Sequence, residues 1–431
     1  MERSGKARER TGLCDEIVMQ ASEQFGTPFY IYDISRIRQS IGALKECLDG
    51  CFDIALSIKA NPNPNLLKKI IDEVEFFDVA SLGEIALATM AGVKPEKMLF
   101  TGPGKSLKEL ESTVRLGIGC VVVESLQEAL DLEEIAGRFG ISVNVALRIN
   151  PDLRNHSSGM RMGGAASQFG VDESSANEVA NSILQLSHLN FVGIHCYFGT
   201  QFLDADKVIE NFQYIFNLSI RMQKHLRHEF DLIDFGGGFG VPYFQGEDDL
   251  DLSCLRNTLP QLVQEYKSRF RSNKNQSLLV ESGRYIFAES GWYCASVLYQ
   301  KFSKGKYFSI LDGGSNFHSS LSGLGKLLRR NFPFHVIYFD RLTRERGEKY
   351  DLVGPLCTPA DQLAFDVEGA PPERGDIVVF EKSGAYGLTF SQINFLSHLS
   401  VSEIGYDRES LFYLKKPKTE RFLCSEYVIE E

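Results

Sequence analysis

Five runs of the chain decide its fold: FDIALSIKA at residues 52–60, EFFDVAS at 75–81, MLFTGP at 98–103, CVVVES at 120–125 and VNVALRIN at 143–150. Their starts lie 23, 23, 22 and 23 residues apart. Each is short, continuously apolar and rich in β-branched residues, the pattern of a strand buried on both faces. Polar stretches of helical period, such as LKELESTVRLG at 107–117, lie between them. Three more runs follow at wider spacing: FVGIHCYFG at 191–199, LIDFGGGFG at 232–240 and SLLVESGRY at 277–285. Alternating strands and helices pair in parallel, and eight such units predict a closed (β/α)8 TIM barrel, an α/β fold. An open doubly wound sheet is the competing architecture.

Beyond Ile286 the pattern changes to closely spaced strand-like runs, among them YCASVLYQKF, YFSILDGG, HVIYFDR, KYDLVGP, DQLAFDV and DIVVFEKSGAYG. This predicts an all-β C-terminal domain. The segment TPFYIYD at 27–33 reads as a strand that pairs with that sheet rather than with the barrel. The expected organisation is therefore a disordered or peripheral N-terminus over 1–24, a strand given to the β domain within 25–37, a barrel over 38–286 and the β domain over 287–431.

At 431 residues, 43% hydrophobic and 24% charged, the composition is that of a globular enzyme with enough apolar material for two cores. A net charge of −11 gives no attraction to phosphate backbones or anionic lipid, so nucleic acid and membrane partners are not expected. No run approaches the apolar length of a membrane-spanning helix, and nine cysteines without CxxC pairs read as reduced thiols, so the expected location is cytoplasmic. His156, His188, His225, His228, His335 and His398 have no ligand spacing, and no metal is expected.

A TIM barrel builds its active site at the C-terminal ends of its strands, which selects the residues to inspect. These are Lys59, Asp78 and Glu84, Arg148, His195 and Tyr197, Gly236 to Gly238, and then Glu281, Gly283 and Arg284. A lysine closing an apolar strand is partly desolvated, which lowers its pKa and makes it a competent Schiff-base nucleophile; the plainer reading is a snorkelling surface lysine. The triple glycine beside Gly283 and Arg284 lies where barrels commonly bind phosphate, although a tight turn alone also calls for glycine. A lysine, a phosphate cradle and the Glu281 carboxylate together point to pyridoxal 5'-phosphate, whose ring nitrogen needs an acid to hold it protonated.

The motifs SIKANPN at Lys59, FDVASLGEI at Asp78 to Glu84, GGGFG at Gly236, ESGRY at Glu281, GPLCTPAD at Cys357 and SGAYG at Tyr386 occur in one order. Together they resemble the fold type III pyridoxal phosphate decarboxylases, the ornithine and diaminopimelate decarboxylase family, over about residues 25 to 400. The resemblance implies that Lys59 carries the cofactor and that Glu281 pairs with its ring nitrogen. It further implies that Gly238 and Arg284 with neighbouring backbone amides hold the phosphate, that Asp78, Arg148 and Tyr386 line the pocket, and that Tyr197, Thr200, Gly237 and Gly283 also bind the cofactor. It implies a homodimer with shared active sites, in which Cys357 enters the partner's site as proton donor.

Two departures narrow the resemblance. HCYFGTQ at 195–201 places Tyr197 where the family usually stacks a histidine on the ring, and Thr358 with Pro359 follows Cys357 where a substrate-binding Asp or Glu is usual. LDGGSNFHSSLSG at 311–323 also lacks the arginine and tyrosine that take a distal carboxylate. FTGPGK at Lys105, MRMGG, QFGVDE and LCTPAD are similar to the group that includes the decarboxylase of butirosin biosynthesis, which acts on a glutamyl thioester of an acyl carrier protein. Related siderophore-pathway enzymes act on a conjugated diaminopropionate. The expected substrate is thus a carrier-tethered or otherwise conjugated amino acid, with Thr358 and Asp361 as candidate contacts. The alternative is free diaminopimelate, ornithine or lysine. A racemase of the same fold would face the ring nitrogen with arginine rather than Glu281, and a catalytically dead regulatory homologue would have lost several of these residues.

Overall fold

The computed structural model describes residues 13–152, 166–270, 276–322, 330–339 and 348–420. Expectations that fall on His156, MRMGG, Cys424 and the first 12 residues lie outside these. The chain forms two units, Ile34–Ala288 and Met1–Asp33 with Glu289–Glu431.

The strands in chain order begin with β1 (Phe29–Asp33), β2 (Asp53–Ser57), β3 (Phe76–Val79), β4 (Met98–Phe100) and β5 (Cys120–Val123). They continue with β6 (Val143–Asn150), a two-residue β7 (Val171–Asp172), β8 (Leu189–Cys196), β9 (Leu232–Asp234) and β10 (Ser277–Ser282). In Ile34–Ala288 the order is β5-β4-β3-β2-β10-β9-β8-β6, all parallel, and the pairing of β5 with β6 closes the ring. Each of the eight apolar runs is one barrel strand. Their inward side chains form one interior cluster, Ala55, Leu99, Cys120, Val122, Ala146, Val192 and Leu279, so the barrel is filled rather than hollow.

Local chemistry sets where the loops hand over to helices. Ser81, Ser106 and Ser125 each accept a hydrogen bond from the backbone N–H three residues on, and Glu109 completes a capping box with Ser106. Close packing also demands glycine inside one strand. A Cβ on Gly193 in β8 would lie 1.8 Å from the Leu232 carbonyl oxygen of β9, an approach that no side chain allows.

The other unit adds β11 (Gly291–Ser303), β12 (Lys306–Leu311), β13 (Phe334–Ile337), β14 (Glu348–Val353), β15 (Gln362–Gly369), β16 (Ile377–Phe380), β17 (Ser402–Asp407) and β18 (Ser410–Lys415). The order β15-β14-β12-β11-β1-β17-β18 places β1 in the middle, antiparallel to β11 and parallel to β17. Two differences from the sequence reading concern the N-terminal part. Residues expected to be peripheral form a helix, Asp15–Phe25, which buries Val18 and Ala21 in a core with Phe29, Ile31, Trp292, Cys294 and Ile404. The barrel unit also begins at Ile34 rather than residue 38, because a helix, Ile34–Leu48, starts directly where β1 ends. The strands β17 and β18 were not foreseen.

Candidate active site

At the C-terminal end of β2 the chain turns through a short 3-10 segment, Ile58–Ala60, which lifts Lys59 out of the strand. Its Nζ lies 2.7 Å from Asp78 Oδ2 at the end of β3, and Thr101, just after β4, donates to Asp78 Oδ1 at 2.6 Å. The Lys59 side chain is 41% exposed and that of Asp78 is 1% exposed, so the amine reaches the barrel mouth while its counter-ion stays inside. Burial pushes the Asp78 carboxyl up, but the Lys59 charge and hydrogen bonds from Lys59, Thr101 and Ser57 outweigh it and hold the group below the usual carboxylate range.

Arg148 of β6 donates to Glu124 at 2.8 Å and stacks over the Phe169 ring, 4.7 Å from its centroid. Glu124 also accepts from the N–H groups of Gly102 and Gly170. Behind it, Glu128 accepts from the Glu124 N–H and pairs with Lys105 at 2.6 Å, whose side chain is only 2% exposed. Two buried ion pairs thus back the mouth.

On the adjoining strands β8, β9 and β10, His195, Asp234 and Glu281 bring one donor atom each within 4.8 Å of one another. His195 Nε2 is 3.5 Å from Glu281 Oε1. Burial, and after it the Asp78 charge, pushes Glu281 up to about 7. Asp234 is likewise pushed well up, by burial and then by the Glu281 charge, and burial followed by the Arg148 charge pushes His195 well below the usual imidazole range. Asp234 Oδ1 accepts from the Gly236 N–H at 2.8 Å, while its Oδ2 and the His195 Nδ1 meet no hydrogen-bond partner among the described residues. A buried carboxyl whose affinity for a proton is raised suits a ring nitrogen whose proton it must keep.

The glycine turn after β9 lies against backbone on every side. A Cβ would stand 2.5 Å from the Glu281 carbonyl if placed on Gly237, 2.6 Å from the Gly199 carbonyl on Gly238, and 2.8 Å from the Ser57 carbonyl on Gly283. Gly238 also has φ +108°, open to glycine at little cost. The loop carrying Thr200 is zipped to this turn by Phe202 N–H to the Gly238 carbonyl and by the Gln201 side chain, which bonds both polar groups of Val241. Tyr197 packs on Gly236, where a Cβ would meet its ring at 2.8 Å. Arg284 Nη1 donates to the Tyr243 hydroxyl at 3.1 Å.

The barrel unit therefore gathers Lys59, Asp78, Arg148, Tyr197, Thr200, Gly237, Gly238, Glu281, Gly283 and Arg284 at one end. A side-chain-free cradle beside an arginine, a half-exposed lysine and a proton-holding carboxyl fit pyridoxal phosphate. Sequence reading missed Glu124, Asp234 and Tyr243; the first two stand one residue after and at the end of their strands, the positions that supplied the others.

Cys357, Thr358, Asp361 and Tyr386 belong to the other unit. Cys357 is exposed, and Tyr386 has φ +59° in a turn after β16. Thr358 Oγ1 accepts from the Ala360 N–H at 3.3 Å. Asp361, expected as a substrate contact, lies inside the fold of this unit. Its side chain is buried, with Oδ1 accepting from the Ser315 N–H at 2.6 Å and Oδ2 from the Leu356 N–H at 2.8 Å, so it turns into the fold and presents no face outward.

Residues 34–288 match the family described as pyridoxal-dependent decarboxylase, pyridoxal binding domain. The chain is 40% identical over 385 residues to the L-glutamyl-[BtrI acyl-carrier protein] decarboxylase of Niallia circulans, covering 89% of each. It is 32% identical over 383 residues to the diaminopimelate decarboxylase of Aquifex aeolicus, covering 86% of this chain and 85% of that one. The crystal structure of Helicobacter pylori diaminopimelate decarboxylase complexed with L-lysine superimposes with a TM-score of 0.83 at 30% identity, over 96% of this chain and 99% of that one.

Proposed function

The chain belongs to the pyridoxal-dependent decarboxylases, and from that premise we propose that its substrate is an amino acid tethered at its far end, as in a carrier-protein thioester. One observation carries this reading: the loop at Cys357 offers no outward charge. Its single ionised side chain, Asp361, is spent on two backbone amides, and Thr358 and Pro359 are neutral. In the facing sequence Asp312 is engaged with Thr27 and with the Ser296 N–H. A free diamino acid would bring a distal ammonium to such a site, and burying an unpaired charge costs several kcal/mol. A thioester or amide brings none. Loss of the α-carboxyl requires that group to be free, so the tether occupies another carboxyl, as a glutamyl group permits. The relative that acts on L-glutamyl-[BtrI acyl-carrier protein] supports this choice.

The cofactor supplies an electron-accepting ring that stabilises charge left at Cα when the carboxyl departs. The chain's residues do the rest. Lys59 would hold the cofactor, with Asp78 keeping its amine in place; the glycine cradle and Arg284 would take the phosphate, and Glu281 would hold the ring-nitrogen proton. Tyr197 would offer the cofactor an aromatic face. No helix of the described residues is long and apolar enough to cross a membrane. We place the enzyme in the cytoplasm, in keeping with eight free cysteines among those residues.

The test is carbon dioxide release from a glutamyl pantetheine thioester against free ornithine, lysine and diaminopimelate. The free amino acids are expected to show a kcat/KM lower by about a hundredfold or more, roughly 3 kcal/mol of transition-state binding. Turnover of any of the three at about 10⁴ M⁻¹s⁻¹ would sink the tethered substrate and restore a free one.

Cys357 acts in this reading as a general acid at the reacting carbon in the partner's site of a homodimer. Mixing inactive Lys59→Ala with inactive Cys357→Ala protomers then restores activity. Half of the randomly formed dimers are hybrids and each hybrid has one intact site, so recovery approaches about a quarter of wild type. No recovery on mixing would mean that each site is built within one chain.

A further inference from the structure

We propose that Asp361 is a positioning residue, a clasp that holds the Cys357 thiol at the tip of its loop by tying that loop to the Asp312–His318 turn. The argument is geometric and lies wholly within the β unit. Cys357 sits in 354–361, a segment whose two ends are joined by the Gly354 N–H donating to the Asp361 carbonyl at 3.0 Å. Inside it, the Thr358 N–H donates to the Leu356 carbonyl at 2.8 Å and the Asp361 N–H to the Thr358 carbonyl at 3.2 Å. The loop is therefore a closed ring with Cys357 at its apex.

The Asp361 carboxylate is the part that reaches outside the ring. One oxygen takes the N–H of Leu356, the residue before the thiol, at 2.8 Å, and the other takes the N–H of Ser315 at 2.6 Å. Ser315 is 46 positions away in sequence. Its turn is rigid in its own right, with the Phe317 and His318 N–H groups both on the Gly314 carbonyl and the Gly314 N–H on Asn316 Oδ1.

Two glycines show that the carboxylate's place is reserved. A Cβ on Gly314 would lie 2.5 Å from both Asp361 oxygens, and a Cβ on Gly354 would lie 2.3 Å from one of them. Neither glycine has the positive φ that would by itself call for glycine; Gly314 is accounted for by the space the carboxylate fills, and Gly354 by that space together with the Gly314 Cα, which its Cβ would meet at 2.4 Å. Charge-assisted bonds from a buried carboxylate to backbone N–H groups are short and directional, and small errors in the placement of a proton donor cost rate steeply.

The inference rests on the reading of Cys357 as proton donor, and a double-mutant cycle separates the two. Asp361→Asn keeps the volume but leaves only one oxygen to accept, so one of the two loops is released. With a glutamyl pantetheine thioester as substrate, kcat is expected to fall at least tenfold with KM within about threefold. Placed in Cys357→Ala, the same substitution is expected to change the residual kcat by less than twofold, because no thiol remains to position. In the purified chain, hydrogen exchange at the 354–361 amides is expected to rise at least tenfold while the barrel peptides keep their rates. Should Asp361→Asn fail to fold, Gly314→Ala disturbs the same clasp from the other side and enters the same cycle. An equal loss of kcat with and without the thiol would overturn the positioning role and make Asp361 a general stabiliser. A fully active Cys357→Ala would instead overturn the proton-donor reading, and the positioning role with it.

Discussion

Lys59→Ala is expected to lose the visible absorbance of the bound cofactor, its trapping by borohydride and nearly all turnover, by roughly 10⁴-fold or more, the scale on which removal of a covalently acting group registers. The reason is access. Lys105, near the barrel mouth, is 2% exposed and is held by Glu128 and by the carbonyls of Gly102 and Val122, so it does not stand ready as a second amine. The substitution also removes the cation that holds Asp78 below the usual range. In the wild type that carboxylate contributes stability above its unfolded pKa, and the contribution is lost as pH falls through its lower native value. In Lys59→Ala only the Thr101 and Ser57 hydrogen bonds remain to oppose burial, so the Asp78 pKa moves upward, and the variant gains stability relative to wild type as pH falls. Denaturant midpoints across pH, with the absorbance spectrum, check both parts. Wild-type turnover in this variant would remove Lys59 from the cofactor.

Glu281→Gln is expected to bind the cofactor yet lower kcat by about 10²–10³-fold, the range seen when one preorganised electrostatic partner is lost. The phosphate cradle and Lys59 are untouched, so the absorbance band persists while the ring nitrogen loses the group that keeps its proton. The cofactor-free protein carries a second signature. Burial, then the Asp78 charge, raises Glu281 to about 7, above its unfolded value, so its stabilising contribution is present at acid pH and is lost as pH rises through about 7. Glu281→Gln removes that slope, and unfolding midpoints between pH 5 and 8 (roughly the span around that value) report it. An unchanged kcat would make Glu281 a structural residue.

Much of this molecule was legible one residue at a time. A barrel strand covered on both faces must be apolar throughout, so each of the eight appears as a continuous run, and a polar residue at the end of such a run, Lys59, Asp78, Arg148 or Glu281, stands out against it. The serine caps likewise act within three residues of themselves. What sequence could not show is whatever depends on residues far apart meeting. The helix Asp15–Phe25 is an amphipathic segment of no evident partner until β1, β11 and β17 lay a core beneath it. His195, Asp234 and Glu281 are separated by some forty residues each and share protons only because β8, β9 and β10 are neighbours. Asp361 follows a cysteine loop at a place that suggests an outward, substrate-facing acid. Its direction was decided by two backbone N–H groups, those of Leu356 and Ser315, that would otherwise be buried without partners, and the charge-assisted bonds they give offset the carboxylate's loss of water.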